Sequence, residues 1–335
     1  MGTPCREPIA ILGAGSWGTA LALYLSRQCQ ATRLWTQDAA RVATMNSDRA
    51  NARYLPGQVF PVALKVTATL SEAIEGCQDI LVALPSAGFR DVLLALQPLI
   101  KPTTRIMWVT KGLDQQTGEL LHDIAKHILG SSRAYAILSG PSFAREVAAG
   151  LPTAVVIASE NPEFAQALSD RFNSQLLRIY VSSDIIGVEI GGTVKNIIAI
   201  ATGIADGMQL GANARSALIT RGLAEMSRLG LAVGGQYETF TGLAGLGDLV
   251  LTCTDDQSRN RRFGLALGRG KTPALAETEI GQVIEGKRNT EIVAKLAQKL
   301  VVDMPITETV LAILQEKFTV QEAMQNLLAR SPKAE

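Results

Sequence analysis

Pro8-Ile9-Ala10-Ile11-Leu12-Gly13-Ala14-Gly15-Ser16-Trp17-Gly18-Thr19-Ala20-Leu21-Ala22-Leu23-Tyr24-Leu25 decides the fold. The apolar run 8–12 reads as a buried strand, the three glycines as a tight turn, and the run after them as a helix. In that order, Gly-x-Gly-x-x-Gly predicts a dinucleotide site. Gly13 makes the turn, Gly15 lets backbone N–H groups approach a pyrophosphate, and Gly18 lets helix and strand pack closely. The N-terminus of the helix then faces the anion with unpaired donors and the positive end of its dipole.

The pattern repeats outward from this unit. Strand signals fall at 32–36, 79–84, 105–110, 134–138, 153–158 and 176–181, with helical patterns at 17–28, 38–46, 70–75, 88–97, 118–129 and 162–172. Such alternation predicts an α/β domain with a Rossmann-like, doubly wound, mostly parallel sheet. Beyond about Ser182 the strand signals vanish. Stretches of 3.6-residue period appear at 184–208, 213–229, 259–267, 276–285, 288–300, 306–315 and 319–329. The expected organisation is a dinucleotide-binding domain over 1–183 and an all-helical C-terminal domain over 184–335.

Composition narrows the function classes. A formal net charge of +1 over 335 residues points to neither nucleic acid nor a membrane surface. Cys5, Cys29, Cys77 and Cys253 form no CxxC pair, which argues against a disulfide scaffold and a thiolate zinc site and fits a reducing, cytoplasmic setting. No secretory signal precedes the first strand. The most apolar region, Ile185 to Met208, is interrupted by Glu189, Lys195, Asn196 and Asp206 and reads as a buried helix, not a membrane span. His122 and His127 are the only histidines, five apart on an expected surface helix, so they are read as solvated and not as a metal pair. No metal site is expected, and proton transfer falls to another residue type.

Lys195, in Gly191-Gly192-Thr193-Val194-Lys195-Asn196, sits in an apolar helix one turn after paired glycines. It either reaches solvent along one face or is held in a cleft, where desolvation and nearby cations bring an amine toward neutrality. Lys111 follows the strand 105–110 and can polarise a carbonyl or bind an anion. Ser258-Arg259-Asn260-Arg261-Arg262 joins an N-cap serine to three arginines, which suits a phosphate. Thr241-Gly242-Leu243-Ala244-Gly245-Leu246-Gly247-Asp248 reads as a second glycine-rich loop without a preceding strand, carrying Asp248 into an interdomain cleft.

Together these motifs, with Thr110-Lys111-Gly112, Ser139-Gly140-Pro141-Ser142-Phe143-Ala144 and Glu285-Gly286, resemble the bacterial-type NAD(P)-dependent glycerol-3-phosphate dehydrogenases from about residue 8 to 315. The resemblance implies Lys195 as proton donor and acceptor. It implies substrate contacts at Lys111, Gly140, Ser142, Lys195, Asp248, Ser258, Arg259 and Asn260. Cofactor contacts are implied at Ser16, Trp17, Gln37, Lys111, Ala144, Arg259, Val283 and Glu285, beside Gly13, Gly15 and Gly18. The implied reaction is reversible hydride transfer between NAD(P)H and dihydroxyacetone phosphate, supplying sn-glycerol 3-phosphate for phospholipid synthesis. A homodimer is a further expectation. Gln37 departs from the histidine or arginine of many members, and Asp38 and Arg41 carry opposite signals, so NAD and NADP both stay open. Two other readings compete. A β-hydroxyacid or ketopantoate-type reductase shares the architecture but not the phosphate turn at 258–260, and a redox sensor would need a partner surface or DNA-binding module.

Overall fold

The computed structural model describes residues 7–329, which divide into two compact units: 7–110 with 119–185, and 111–118 with 186–329. The first unit holds the sheet. Its elements run β1 (Ile9–Leu12), α1 (Ser16–Arg27), β2 (Thr32–Trp35), α2 (Ala39–Asp48), β3 (Leu64–Thr67), α3 (Leu70–Ile74) and β4 (Asp79–Val82). They continue through α4 (Phe89–Leu96), β5 (Arg105–Trp108), α5 (Leu121–Leu129), β6 (Tyr135–Ser139), α6 (Ala144–Ala149), β7 (Thr153–Ala158), α7 (Pro162–Phe172) and β8 (Leu177–Ser182). The strand order is β3-β2-β1-β4-β5-β6-β7-β8, and every neighbouring pair is parallel except β6–β7.

This is the doubly wound sheet that the alternating pattern predicts. Its order reverses between β1 and β4, and in such sheets ligands bind beyond the carboxyl ends of the strands at that point. The four residues of β1 are all buried, which is why the strand reads as a continuous apolar run and not an alternating one. Two features lay below the sequence signal. The edge strand β3 is only Leu64-Lys65-Val66-Thr67, alternating buried and exposed, and α6 is a six-residue helix behind the Ser139–Ser142 corner. One expectation is corrected. His127 is exposed, but His122 is 4% exposed, with Nε2 3.1 Å from Asp123 Oδ1, because α5 turns that face onto the core.

The second unit is helical. It contains α8 (Ile185–Gly207, which starts at the last residue of the first unit), α9 (Gly211–Ala232), α10 (Tyr237–Thr241), α11 (Asp248–Thr254) and α12 (Arg259–Gly268). Then follow α13 (Pro273–Ile280), α14 (Glu285–Lys299), α15 (Pro305–Leu314) and α16 (Val320–Leu328). By length and composition α8 could cross a membrane, but 94% of its most apolar window is buried within the protein, so it is a core helix. The expected glycine-rich loop before Asp248 is instead helical. Leu243–Gly247 forms a π-turn, closed by Gly247 N–H donating to Gly242 O at 3.1 Å, and it runs straight into α11. Its glycines serve packing: a Cβ at Gly245 would lie 2.1 Å from Phe240 O.

Helices α8 and α12 lie backbone to backbone. A Cβ on Gly264 would sit 2.0 Å from Ile200 O, one on Gly268 2.3 Å from Ile204 O, and one on Gly203 2.1 Å from Arg261 O. The contacts Asn196–Asn260, Ile200–Gly264 and Ile204–Gly268 recur every turn at one offset, so the glycines set a single register. Replacing Gly264 by alanine is expected to push the helices apart and to lower stability by roughly 1–3 kcal/mol, read as a lower urea midpoint of unfolding. An unchanged midpoint would show that the register tolerates a methyl group.

Candidate active site

In the second unit, three segments converge on one carboxylate. Gly191 brings α8 against the π-turn, since a Cβ there would be 2.7 Å from Ala244 O. One helical turn further along each partner stand Lys195 and Asp248, and their side chains meet with Nζ 2.5 Å from Oδ1. The other carboxylate oxygen, Oδ2, accepts from Lys111 Nζ at 2.6 Å. Lys195 is 6% exposed and Asp248 1%.

A fourth residue was not singled out in the sequence. Thr252, one turn after Asp248 on α11, accepts from Lys195 Nζ at 2.9 Å and donates its own hydroxyl proton to Asp248 O at 2.6 Å. Its i, i+4 spacing from Asp248 is the only sequence signal, and many threonines share such a spacing with a carboxylate.

The electrostatics follow from burial and from these partners. Burial disfavours the ammonium and, although Asp248 opposes it, brings Lys195 down to about 7, with Lys111 adding repulsion. Burial works against the Asp248 carboxylate too, but Lys111 and Lys195 outweigh it and hold its pKa below the usual value.

The turn at Ser258–Asn260, expected to take a phosphate, lies beside this cluster. Ser258 caps α12, its Oγ accepting from Arg261 N–H at 3.2 Å, as its residue type predicts. Asn260 Nδ2 donates to Asn196 Oδ1 at 2.9 Å, and Asn260 Oδ1 accepts from Gly286 N–H at 2.9 Å. The residue after Lys195 is thereby tied to the turn. Arg259 is half-buried, with Nη1 3.4 Å from Gln282 Oε1. Val283 and Glu285 stand at the start of α14, where Glu285 Oε2 accepts from Asn289 Nδ2 at 3.1 Å. Asn289 Oδ1 in turn accepts Leu113 N–H at 3.0 Å, which anchors the segment carrying Lys111.

The other predicted residues lie in the first unit. Gly140 adopts φ +137°, a conformation suited to glycine, and Ser142 Oγ donates to Gly140 O at 2.9 Å, just before Ala144 opens α6. Gln37 is exposed past the end of β2. At the glycine turn, Gly13 (φ +126°) and Gly18 are forced by close packing: added Cβ atoms would lie 2.4 Å from Ala83 O and 2.0 Å from Gly13 O. Gly15 differs, because a Cβ there meets nothing within 4 Å. It is the N-cap of α1, no side chain caps the helix, and no acidic residue occupies the first turn. Open space before uncapped N–H groups fits a pyrophosphate, with half-buried Ser16 and Trp17 on the rim. No cluster of three or more metal-ligating side chains occurs among the described residues.

Comparison with known proteins agrees over both units. Residues 8–165 match the family model for the NAD-dependent glycerol-3-phosphate dehydrogenase N-terminus, and 184–325 match that for its C-terminus. The chain is 55% identical over 332 residues to the glycerol-3-phosphate dehydrogenase [NAD(P)+] of Coxiella burnetii, covering 99% of each chain. It is 52% identical over 328 residues to that of Vibrio cholerae, covering 98% of this chain and 95% of the relative. A crystal structure of the glycerol-3-phosphate dehydrogenase from Coxiella burnetii superimposes with a TM-score of 0.95 at 54% identity, covering 98% of this chain and 100% of that one. With both halves matched and more than half the residues shared along the full length, the chain belongs to the NAD(P)-dependent glycerol-3-phosphate dehydrogenase family.

Proposed function

We propose that the chain interconverts dihydroxyacetone phosphate and sn-glycerol 3-phosphate with NADH or NADPH, Lys195 passing the proton, and that it works in the cytoplasm to supply phospholipid synthesis. The observation that supports this most directly is the buried ammonium of Lys195, with a pKa near 7, shared between Asp248 and Thr252. An ammonium has three N–H donors. Two are directed at Asp248 Oδ1 and Thr252 Oγ1, and the third is left for a substrate oxygen.

When bound beside the substrate, a nicotinamide would supply or accept the hydride at C2. As negative charge develops on the C2 oxygen during reduction, Lys195 donates a proton to it; in oxidation the neutral amine takes that proton from the hydroxyl. Lys111 adds positive charge beside the developing oxyanion, and Asp248 holds both amines in place. The Ser258–Asn260 turn takes the phosphate on the helix N-terminus and the Arg259 guanidinium. Both ends of the Asn260 amide are already bonded within the protein, so its side chain fixes the turn beside Lys195. Gly140 and Ser142 are assigned to the substrate and Ala144, Val283, Glu285 and Gln37 to the cofactor by family resemblance.

Lys195→Ala is expected to lower kcat by about 10²–10⁴-fold while NAD(P)H still binds, as measured by steady-state assays and fluorescence titration. Turnover at the unmutated rate would remove Lys195 from the mechanism. Because ketone reduction needs the ammonium, its kcat/KM should fall as pH rises through about 7, whereas oxidation should rise over the same range. Profiles with the same slope in both directions would contradict the assignment.

Neighbouring charges should displace that limb in opposite directions. Asp248→Asn removes the group that favours the ammonium and moves the limb to lower pH, while Lys111→Met removes a repelling cation and moves it higher. Displacement of both variants in one direction would rule out this charge arrangement. Arg259→Ala is expected to weaken ketone phosphate binding by roughly 2–4 kcal/mol, seen as a raised KM with little change for a non-phosphorylated ketone. Equal KM values before and after substitution would place the phosphate elsewhere.

A further inference from the structure

The cofactor choice that the sequence leaves open is addressed by a cluster beside the glycine turn of the first unit. The Arg41 guanidinium, on the first turn of α2, donates through Nη2 to Ala14 O at 2.8 Å, inside the Gly-x-Gly-x-x-Gly turn. Asn51 Nδ2 donates to the same carbonyl at 3.0 Å and to Thr19 Oγ1 at 2.8 Å, so the turn is tied to the chain beyond β2. The Arg41 guanidinium carbon also lies 4.8 Å from the centroid of the Tyr54 ring, and that of Arg53 lies 5.5 Å from the same centroid. Two cations thus share one aromatic ring, and neither is paired with a carboxylate among the described residues.

Asp38 would normally oppose an anion here, since an acidic residue past the second strand of such folds reads the ribose 2′-hydroxyl of NAD. In this chain its Oδ1 accepts Arg41 N–H at 3.0 Å as the N-cap of α2, and its charge is directed at the helix start. An unpaired pair of guanidinium groups next to the dinucleotide turn lacks only its anion. Guanidinium groups bind phosphate oxygens through paired, charge-assisted donors, and an aromatic ring holds such a group in place without neutralising it.

Building on the dinucleotide reading above, we infer that Arg41 and Arg53, braced on Tyr54, bind the 2′-phosphate of the adenosine ribose and make the protein selective for NADPH over NADH. Gln37, exposed before Asp38, is left to a neutral contact with the ribose or the adenine.

The test uses the full chain in calorimetric titrations with NADPH, NADH, 2′,5′-ADP and 5′-AMP, so that binding is read apart from turnover. The last two ligands differ only in the 2′-phosphate. The unmutated protein is expected to bind 2′,5′-ADP at least about tenfold more tightly than 5′-AMP, with added salt narrowing the gap. Arg53→Ala and Arg41→Ala should each reduce that ratio severalfold, and the double variant should bring it close to one. Arg53→Ala is the cleaner test, because Arg53 lies over the ring, whereas Arg41 also holds Ala14 O within the glycine turn. A ratio at or below one in the unmutated protein, or one untouched by Arg53→Ala, overturns the inference. Equal binding of NADPH and NADH sinks this inference alone, whereas failure to bind either one also removes the dinucleotide reading on which it rests.

Discussion

Asp248 holds two ammonium groups at once, Lys195 on one oxygen and Lys111 on the other, and the proposed chemistry of the second unit rests on that sharing. Two amines brought so close to one buried point would repel each other, and burial alone would strip the proton from Lys195. A carboxylate between them opposes that effect at Lys195, leaving it at about 7. A lysine at its ordinary value would hold its proton too firmly to accept one from a hydroxyl. An unpaired buried lysine would have none to give. In the proposed mechanism the carboxylate makes both directions of the reaction available to one side chain.

The placement of that carboxylate is a matter of backbone approach. Gly191 admits Ala244 O, and this fixes Lys195 and Asp248 one turn later on their respective elements. The same helix meets α12 at a constant offset through Gly264 and Gly268, and the first contact of that series is the Asn196–Asn260 bond beside Lys195. Lys195 and the Ser258–Asn260 turn, to which proton transfer and phosphate binding are assigned by proposal, are therefore set on one register. A shift of α12 by a turn would break the glycine contacts and move Ser258 and Arg259 away from Lys195 together. Stability and site geometry are in this region a single constraint.

The parts legible in the sequence are those whose physics is local. The glycine turn announces itself because its strand and helix neighbours are adjacent in the chain, and the Ser258 cap because a cap acts within three residues. Lys195 was visible as a charge in an apolar helix. Of its surroundings, Lys111 and Asp248 are legible through their own motifs and the family resemblance, whereas Thr252 is not; the three reach Lys195 from segments 84, 53 and 57 residues away in the chain, so no local pattern shows that they meet. The stretch before Asp248 reads as a loop in the sequence but is helical, for a related reason. Glycines in sequence look like a loop, and only the proximity of Phe240 O shows that they are there for packing. The edge strand β3 was lost because four alternating residues carry little signal, and His122 because helical position alone does not say which face is covered.

Glu225 shows why burial of a carboxylate does not by itself mark a catalytic group. It is as buried as Asp248, each at 1% exposure, and it accepts Ile306 N–H at 2.5 Å, Thr307 N–H at 3.2 Å and the Thr307 hydroxyl at 3.1 Å. Burial nevertheless pushes its pKa up to about 7, because these neutral dipoles and the more distant Arg228 do not offset the loss of water. Asp248 faces two full charges and is shifted the other way. Glu225 caps α15, whose own N-cap Met304 has no side-chain acceptor to offer, and that role needs only a fixed acceptor. In the proposed reaction Asp248 must instead stay ionised while a proton leaves and returns to the amine beside it. Within one unit, the difference between Glu225 as a cap and Asp248 in its proposed working role lies in the charge of their partners, and the direction of the pKa shift records it.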